Sequence, residues 1–122
     1  MAVRNYRELQ CWQLASELKR RLYAIIASPP AKRDLKFCDQ VRDSARGGPR
    51  AIAEGFGRFR STEFARYLEF ARASLMETQN HIDDALDNGF ITSAVRDELM
   101  RLADRAIGAT TKLHQYLRNK NK

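Results

Sequence analysis

The sequence predicts an all-α protein, an antiparallel up-down four-helix bundle. Apolar residues recur at steps of three and four through four long segments. The breaks between segments are short and rich in Pro, Gly, Asn or Ser. No stretch alternates with the two-residue period of a strand, so helices must bury their stripes against each other. The 122 residues are 43% hydrophobic and 30% charged, with only 6 Gly and 3 Pro. That composition and length fit a folded chain with one core. The reading is one domain over 1–122, with 1–6 and 119–122 as flexible tails.

The first segment, 7–27, aligns Cys11, Ala15, Leu18, Leu22 and Ile25, with Trp12 and Ile26 beside the seam. Pro29 and Pro30 stop it. Asp34 is placed to cap the second segment, 35–56, whose rough seam is Leu35, Cys38, Val41, Ala45, Ile52 and Phe56. Gly47-Gly48-Pro49 sits in its middle. Each interior glycine costs ~1 kcal/mol against alanine and proline ~3 kcal/mol, so a kink or brief break is expected there. The third segment, 61–88, places Phe64, Leu68, Ala71, Leu75, Thr78, Ile82 and Ala85 at alternating steps of four and three. Gly89 suits a left-handed cap. Thr92 or Ser93 then starts the fourth segment, 93–118, with Val95, Leu99, Leu102, Ala106, Ala109, Leu113 and Tyr116 as its seam. Met100, Ala103 and Ile107 form a second apolar stripe on that helix. They are expected to contact another subunit, as is Phe70, which lies off the third seam.

The stretch AIAEGFGRFRS, residues 51–61, resembles two nucleotide-binding signatures at once. An RNA-recognition K/R-G-F/Y-G/A-F signature needs a sheet, and none is predicted. A phosphate-binding G-x-G-x-x-G needs a preceding strand and a third glycine, where Arg60 stands. The stretch is therefore read as a helix end. Gly55 and Gly57 would take positive φ, Phe56 and Phe59 would anchor the turn in the core, and Arg58 and Arg60 would point outward.

The segments IAEGFGR (52–58) and EFARYLEFARASLMET (63–78), with LQCWQLASEL (9–18) and NGFI (88–91), resemble one known family. These are the four-helix-bundle proteins encoded in intervening sequences of bacterial 23S ribosomal RNA genes, and the likeness runs nearly end to end. Members have no established enzymatic activity. Related bundles are accessory variability determinants of diversity-generating retroelements, basic pentameric partners of a reverse transcriptase and of nucleic acid. The resemblance thus implies a homo-oligomer, a pentamer in particular, and a nucleic-acid or protein partner.

Net charge is +7 and the pI about 9.8. Residues 61–91 carry net −4, whereas 1–30, 31–60 and 92–122 carry +3, +4 and +4. Such asymmetry points to an anionic partner, RNA or DNA. Candidate contacts are Arg42, Arg46 and Arg50 on the second helix, Arg58 on the turn, and Arg101, Arg105 and Lys112 on the fourth helix. Intrahelical pairs such as Asp39–Arg42, Asp97–Arg101 and Glu54–Arg58 would offset part of this charge. The competing reading is a protein-binding scaffold, for example a partner of a reverse transcriptase. Catalysis is the least favoured class. Two histidines and two cysteines, in no ligand spacing, offer no metal, cofactor or nucleophile set. The start has no apolar signal region, and no run is long enough to span a membrane, so a cytoplasmic protein with reduced thiols is expected.

Overall fold

A computed structural model describes residues 3–120. A short 3-10 turn, Tyr6–Glu8, leads into α1 (Gln10–Ile26). A second, Ala31–Arg33, precedes α2 (Leu35–Phe56), and α3 (Ser61–Asp87) and α4 (Ser93–Lys120) complete the order. No strand occurs among the described residues. Of the tails expected at 1–6 and 119–122, residues 1–2 and 121–122 lie outside the described residues. Val3 and Tyr6 pack on the core, and 119–120 belong to α4.

Each helix packs mainly on two neighbours, giving the cyclic order α1, α2, α3, α4. Residue pairs between α3 and α4 step in opposite directions: Glu69 meets His114, Gln79 meets Asp104, and Asp83 meets Arg96. The same holds between α2 and α3, where Ser44 meets Thr78 and Gly55 meets Tyr67. Consequently the 57–60 turn, the N-terminal 3-10 turn and the end of α4 gather at one end of the bundle.

Local chemistry sets the helix boundaries. Asn5 and Glu8 form a reciprocal capping box around the first turn. The Asp34 carboxylate accepts from the Phe37 amide at 3.0 Å, and Thr92 Oγ1 accepts from the Val95 amide at 3.2 Å. Gly89 has φ 74°, the only positive φ among the described residues. Around it the Phe90 amide donates to the Ala85 carbonyl and the Gly89 amide to that of Leu86, a Schellman closure of α3.

All seven predicted α3 seam residues are buried. The seams of α2 and α4 shift. Leu35 is 75% exposed, and Phe37 takes the core position, packed edge-to-face on Phe90 with centroids 5.0 Å apart. Two consecutive three-residue steps, 35 to 38 to 41, fall short of full turns by about 60° each and carry Leu35 off the core face. On α4 the buried positions are Leu99, Leu102, Ala103, Ala106, Ile107, Thr110 and Leu117, while Tyr116 is exposed. A strict heptad stripe drifts ~20° per heptad on a straight helix, so over 28 residues the true core face leaves it. The expected subunit stripe is corrected accordingly. Ala103 is fully buried, Ile107 is 9% exposed, and Met100 packs half-buried on the core.

α2 continues as helix through Gly47, Gly48 and Pro49, all three buried. These glycines let α3 come close: a Cβ on Gly47 would lie 2.7 Å from Ser74 Oγ, and one on Gly48 3.4 Å from Leu75. Gly55 plays the same part. It is helical and buried, and a Cβ there would lie 2.7 Å from the Tyr67 Cβ and 2.9 Å from the Phe64 ring. Gly57 has φ −75°. The expected positive φ at Gly55 and Gly57 is therefore wrong; space, not backbone freedom, requires glycine at 55.

Candidate nucleic-acid interface

The predicted cations fall in three places. Arg42 and Arg46 sit on the exposed face of α2, 3.2 Å from Asp39 and 3.4 Å from Asp43. Exposed pairs at this spacing contribute only ~0.2–0.5 kcal/mol each and leave both guanidinium groups accessible. Arg50 is exposed one turn further on. Arg101 and Arg105 line a groove between α1 and α4 with Arg21, whose guanidinium is held 2.9 Å from Glu98. Lys112 borders a separate recess beside Leu9, Cys11 and Leu113. Because α2 and α4 occupy opposite corners of the cyclic order, one chain does not merge the two stripes into a single face.

Two of the expected intrahelical pairs are replaced by other contacts. Asp97 pairs with Arg96, not Arg101, at 3.2 Å, and Arg96 also reaches Asp83 on α3 at 2.8 Å. Those hydrogen bonds hold the Arg96 pKa above its ordinary value. Arg58, expected near Glu54, instead lies over the Tyr67 ring, 4.8 Å from its centroid, and donates to the phenol oxygen. Tyr67 meets Phe70 edge-to-face at 5.5 Å, and Arg66 covers Phe70 at 5.4 Å. Phe70, predicted at a subunit contact, is thus 47% exposed within a ladder in which the guanidinium groups of Arg58 and Arg66 flank the Tyr67–Phe70 ring pair.

Arg58 also belongs to a site that the sequence reading missed. A groove of about 200 Å³ opens at the turn end of the bundle. Arg58, Phe59, Arg60 and Ser61 form one wall, and Tyr116 and Lys120 of α4 the other, with Phe56 and Phe64 among its lining. Phe59 is fully exposed, which corrects its expected place in the core. Phe56 alone anchors the turn, edge-to-face on Phe64 at 5.9 Å. The turn is closed by the Gly57 amide bonding the Ala53 and Glu54 carbonyls and the Arg58 amide bonding Gly55. Those bonds use up the chain between the helix ends, so the Phe59 ring projects into solvent.

Charge is distributed unevenly along the bundle axis. The groove end carries Arg4, Arg7, Arg58, Arg60, Arg118 and Lys120 against Glu8, Glu54 and Glu63. The opposite end carries Asp34, Asp83, Asp84, Asp87, Asp97 and Glu98 against Arg21, Lys32, Arg33, Lys36 and Arg96, so its charges nearly balance. The surplus of cations over carboxylates at the groove end focuses a positive field there.

Among the described residues, no group of three or more His, Cys, Asp or Glu could hold a metal ion. His114 Nε2 lies 2.9 Å from Glu69, and His81 Nε2 3.6 Å from Glu77; each bridge uses one acid and one imidazole. Burial pushes the Cys11 thiol up to about 11, which keeps it protonated and unreactive at neutral pH. No helix among the described residues is long and apolar enough to cross a membrane.

No curated protein matches the chain. The family model described as 23S rRNA-intervening sequence protein matches residues 7–112, which takes in all of α1, α2 and α3 and most of α4. With its four packed helices and that match over most of its length, the chain belongs to the 23S rRNA-intervening sequence protein family.

Proposed function

We propose that this chain is a non-enzymatic accessory protein that binds the phosphate backbone of RNA or DNA through its basic end. The observation that carries the reading is the uneven charge: six cations against three acids gather at the end that holds the 57–60 turn and the end of α4, while the far end is nearly balanced. A polyanion approaching such a dipolar bundle is steered toward one pole. Arg42, Arg46, Arg50, Arg101, Arg105 and Lys112 extend the positive surface along the sides. No set of residues suited to reading base edges accompanies them, so backbone contact with little sequence preference is expected. The working form is a homo-oligomer, of five copies if the likeness to the retroelement accessory bundles holds, with Phe70 at the subunit contact. The competing reading, a scaffold for a protein partner, is favoured by the same exposed Phe70 and by Met76, 41% exposed on the same helix.

The test compares charge reversal at the two poles. Arg60→Glu with Lys120→Glu and Lys32→Glu with Arg33→Glu change the net charge equally. Fluorescence anisotropy with a labelled duplex should show the first pair weakening binding about ten-fold or more and the second within two-fold. Equal effects would assign binding to net charge alone, and no binding by the parent protein would favour the scaffold.

A further inference from the structure

We infer that the groove behind Phe59 is a stacking site for an unpaired base, making single-stranded nucleic acid the preferred ligand of the basic end. This rests on the proposed function and specifies its substrate class.

The first ground is the cost of the ring where it stands. Phe59 is fully exposed on a tight turn held by three backbone hydrogen bonds, where a small polar residue would serve the backbone equally well. A phenylalanine left in water forgoes burial that a stacked partner would restore. The second ground is shape. The groove beside it is concave and walled by a second exposed ring, Tyr116, 46% exposed, so a flat heterocycle inserted there meets an aromatic face. The third ground is charge. Arg58, Arg60 and Lys120 ring the same groove, and no carboxylate lines it. A base in the groove therefore brings its flanking phosphates to the three cations. Paired bases in a duplex have their faces covered by neighbours and cannot enter. Cationic grooves with aromatic platforms bind single strands in this manner and tolerate any base, since every base has a π-face. The nearby ladder fixes the wall: Arg58 is pinned on Tyr67, itself packed on Phe70, so this guanidinium is ordered before a ligand arrives.

The test uses the intact chain and three labelled probes of equal length: a thymidine strand, the same phosphate chain without bases, and a mixed-sequence duplex. Phe59→Ala should weaken the thymidine strand by about 5- to 150-fold, the range of one stacked base. It should leave the abasic chain and the duplex within two-fold. Because the ring touches nothing that holds the fold, helicity by circular dichroism should be unchanged. Arg60→Gln and Lys120→Gln should weaken all three probes together. If Phe59→Ala leaves the thymidine strand unchanged, or weakens all probes alike, the stacking site is refuted while backbone binding stands. If the parent protein binds none of the probes, both readings fall. If Phe59→Ala instead abolishes binding to phosphatidylserine vesicles and spares the strand, the ring serves a lipid surface and the inference is overturned.

Discussion

Substituting Gly55 with alanine adds one carbon at the tightest point between α2 and α3. That carbon would lie 2.7 Å from the Tyr67 Cβ and 2.9 Å from the Phe64 ring, with the Phe64 carbonyl oxygen at 3.3 Å. Carbon atoms rest at ~3.5–4.0 Å, so the first contact is short by about 1 Å. No rotamer of Tyr67 relieves it, because its Cβ is fixed to the α3 backbone. Phe64 is buried and braced by Phe56, so its ring cannot swing clear. The first turns of α3 must move outward. Overpacking of this kind costs ~1–3 kcal/mol, and alanine regains ~1 kcal/mol of helix propensity. The expected net loss is up to ~2 kcal/mol, at roughly 4 °C of Tm per kcal/mol for a chain of this size. Urea and thermal unfolding followed by circular dichroism measure it. Gly108→Ala is the control: a Cβ there meets nothing within 4 Å, so it should stabilise by up to ~1 kcal/mol. If Gly55→Ala gained stability as Gly108→Ala does, the close helix crossing would be refuted.

Ile107→Ala should cost ~2–4 kcal/mol in urea unfolding, and Ala103→Glu should abolish the cooperative transition, because both side chains lie in the core. Loss of oligomer with helicity and stability intact would return that stripe to a subunit contact. The Cys11 thiol, raised from 9.0 to about 11, favours the folded state below pH 9, and that stability is lost as pH climbs toward 11. Between these values the parent should lose up to about 3 kcal/mol more than Cys11→Ala; superimposable pH–stability curves would contradict this.

What the sequence disclosed followed from how local each signal was. The α3 seam, the Asp34 and Thr92 caps and the Gly89 closure each depend on residues within one or two turns, and all are found. The α4 core face was misplaced because heptad spacing and the real helix period diverge over 28 residues. Gly55 was misread because its requirement comes from Tyr67 and Phe64, on the next helix. Arg60 and Lys120 were absent from the candidate contacts because they are 60 residues apart and meet only through the fold. Phe59 was assigned to the core on its hydrophobicity alone, while the closed turn leaves it outside.

The central claim is that the basic end binds nucleic-acid phosphates. It is tested most directly by the salt dependence of binding of the intact protein to a single-stranded homopolymer. Each neutralised phosphate contributes about −0.7 to the slope of log affinity against log salt. Arg58, Arg60 and Lys120 acting together predict a slope near −2 or steeper, flattened by the Arg60→Glu, Lys120→Glu double substitution. A slope near zero, or no binding at the lowest salt, would contradict nucleic-acid binding as the function of this protein.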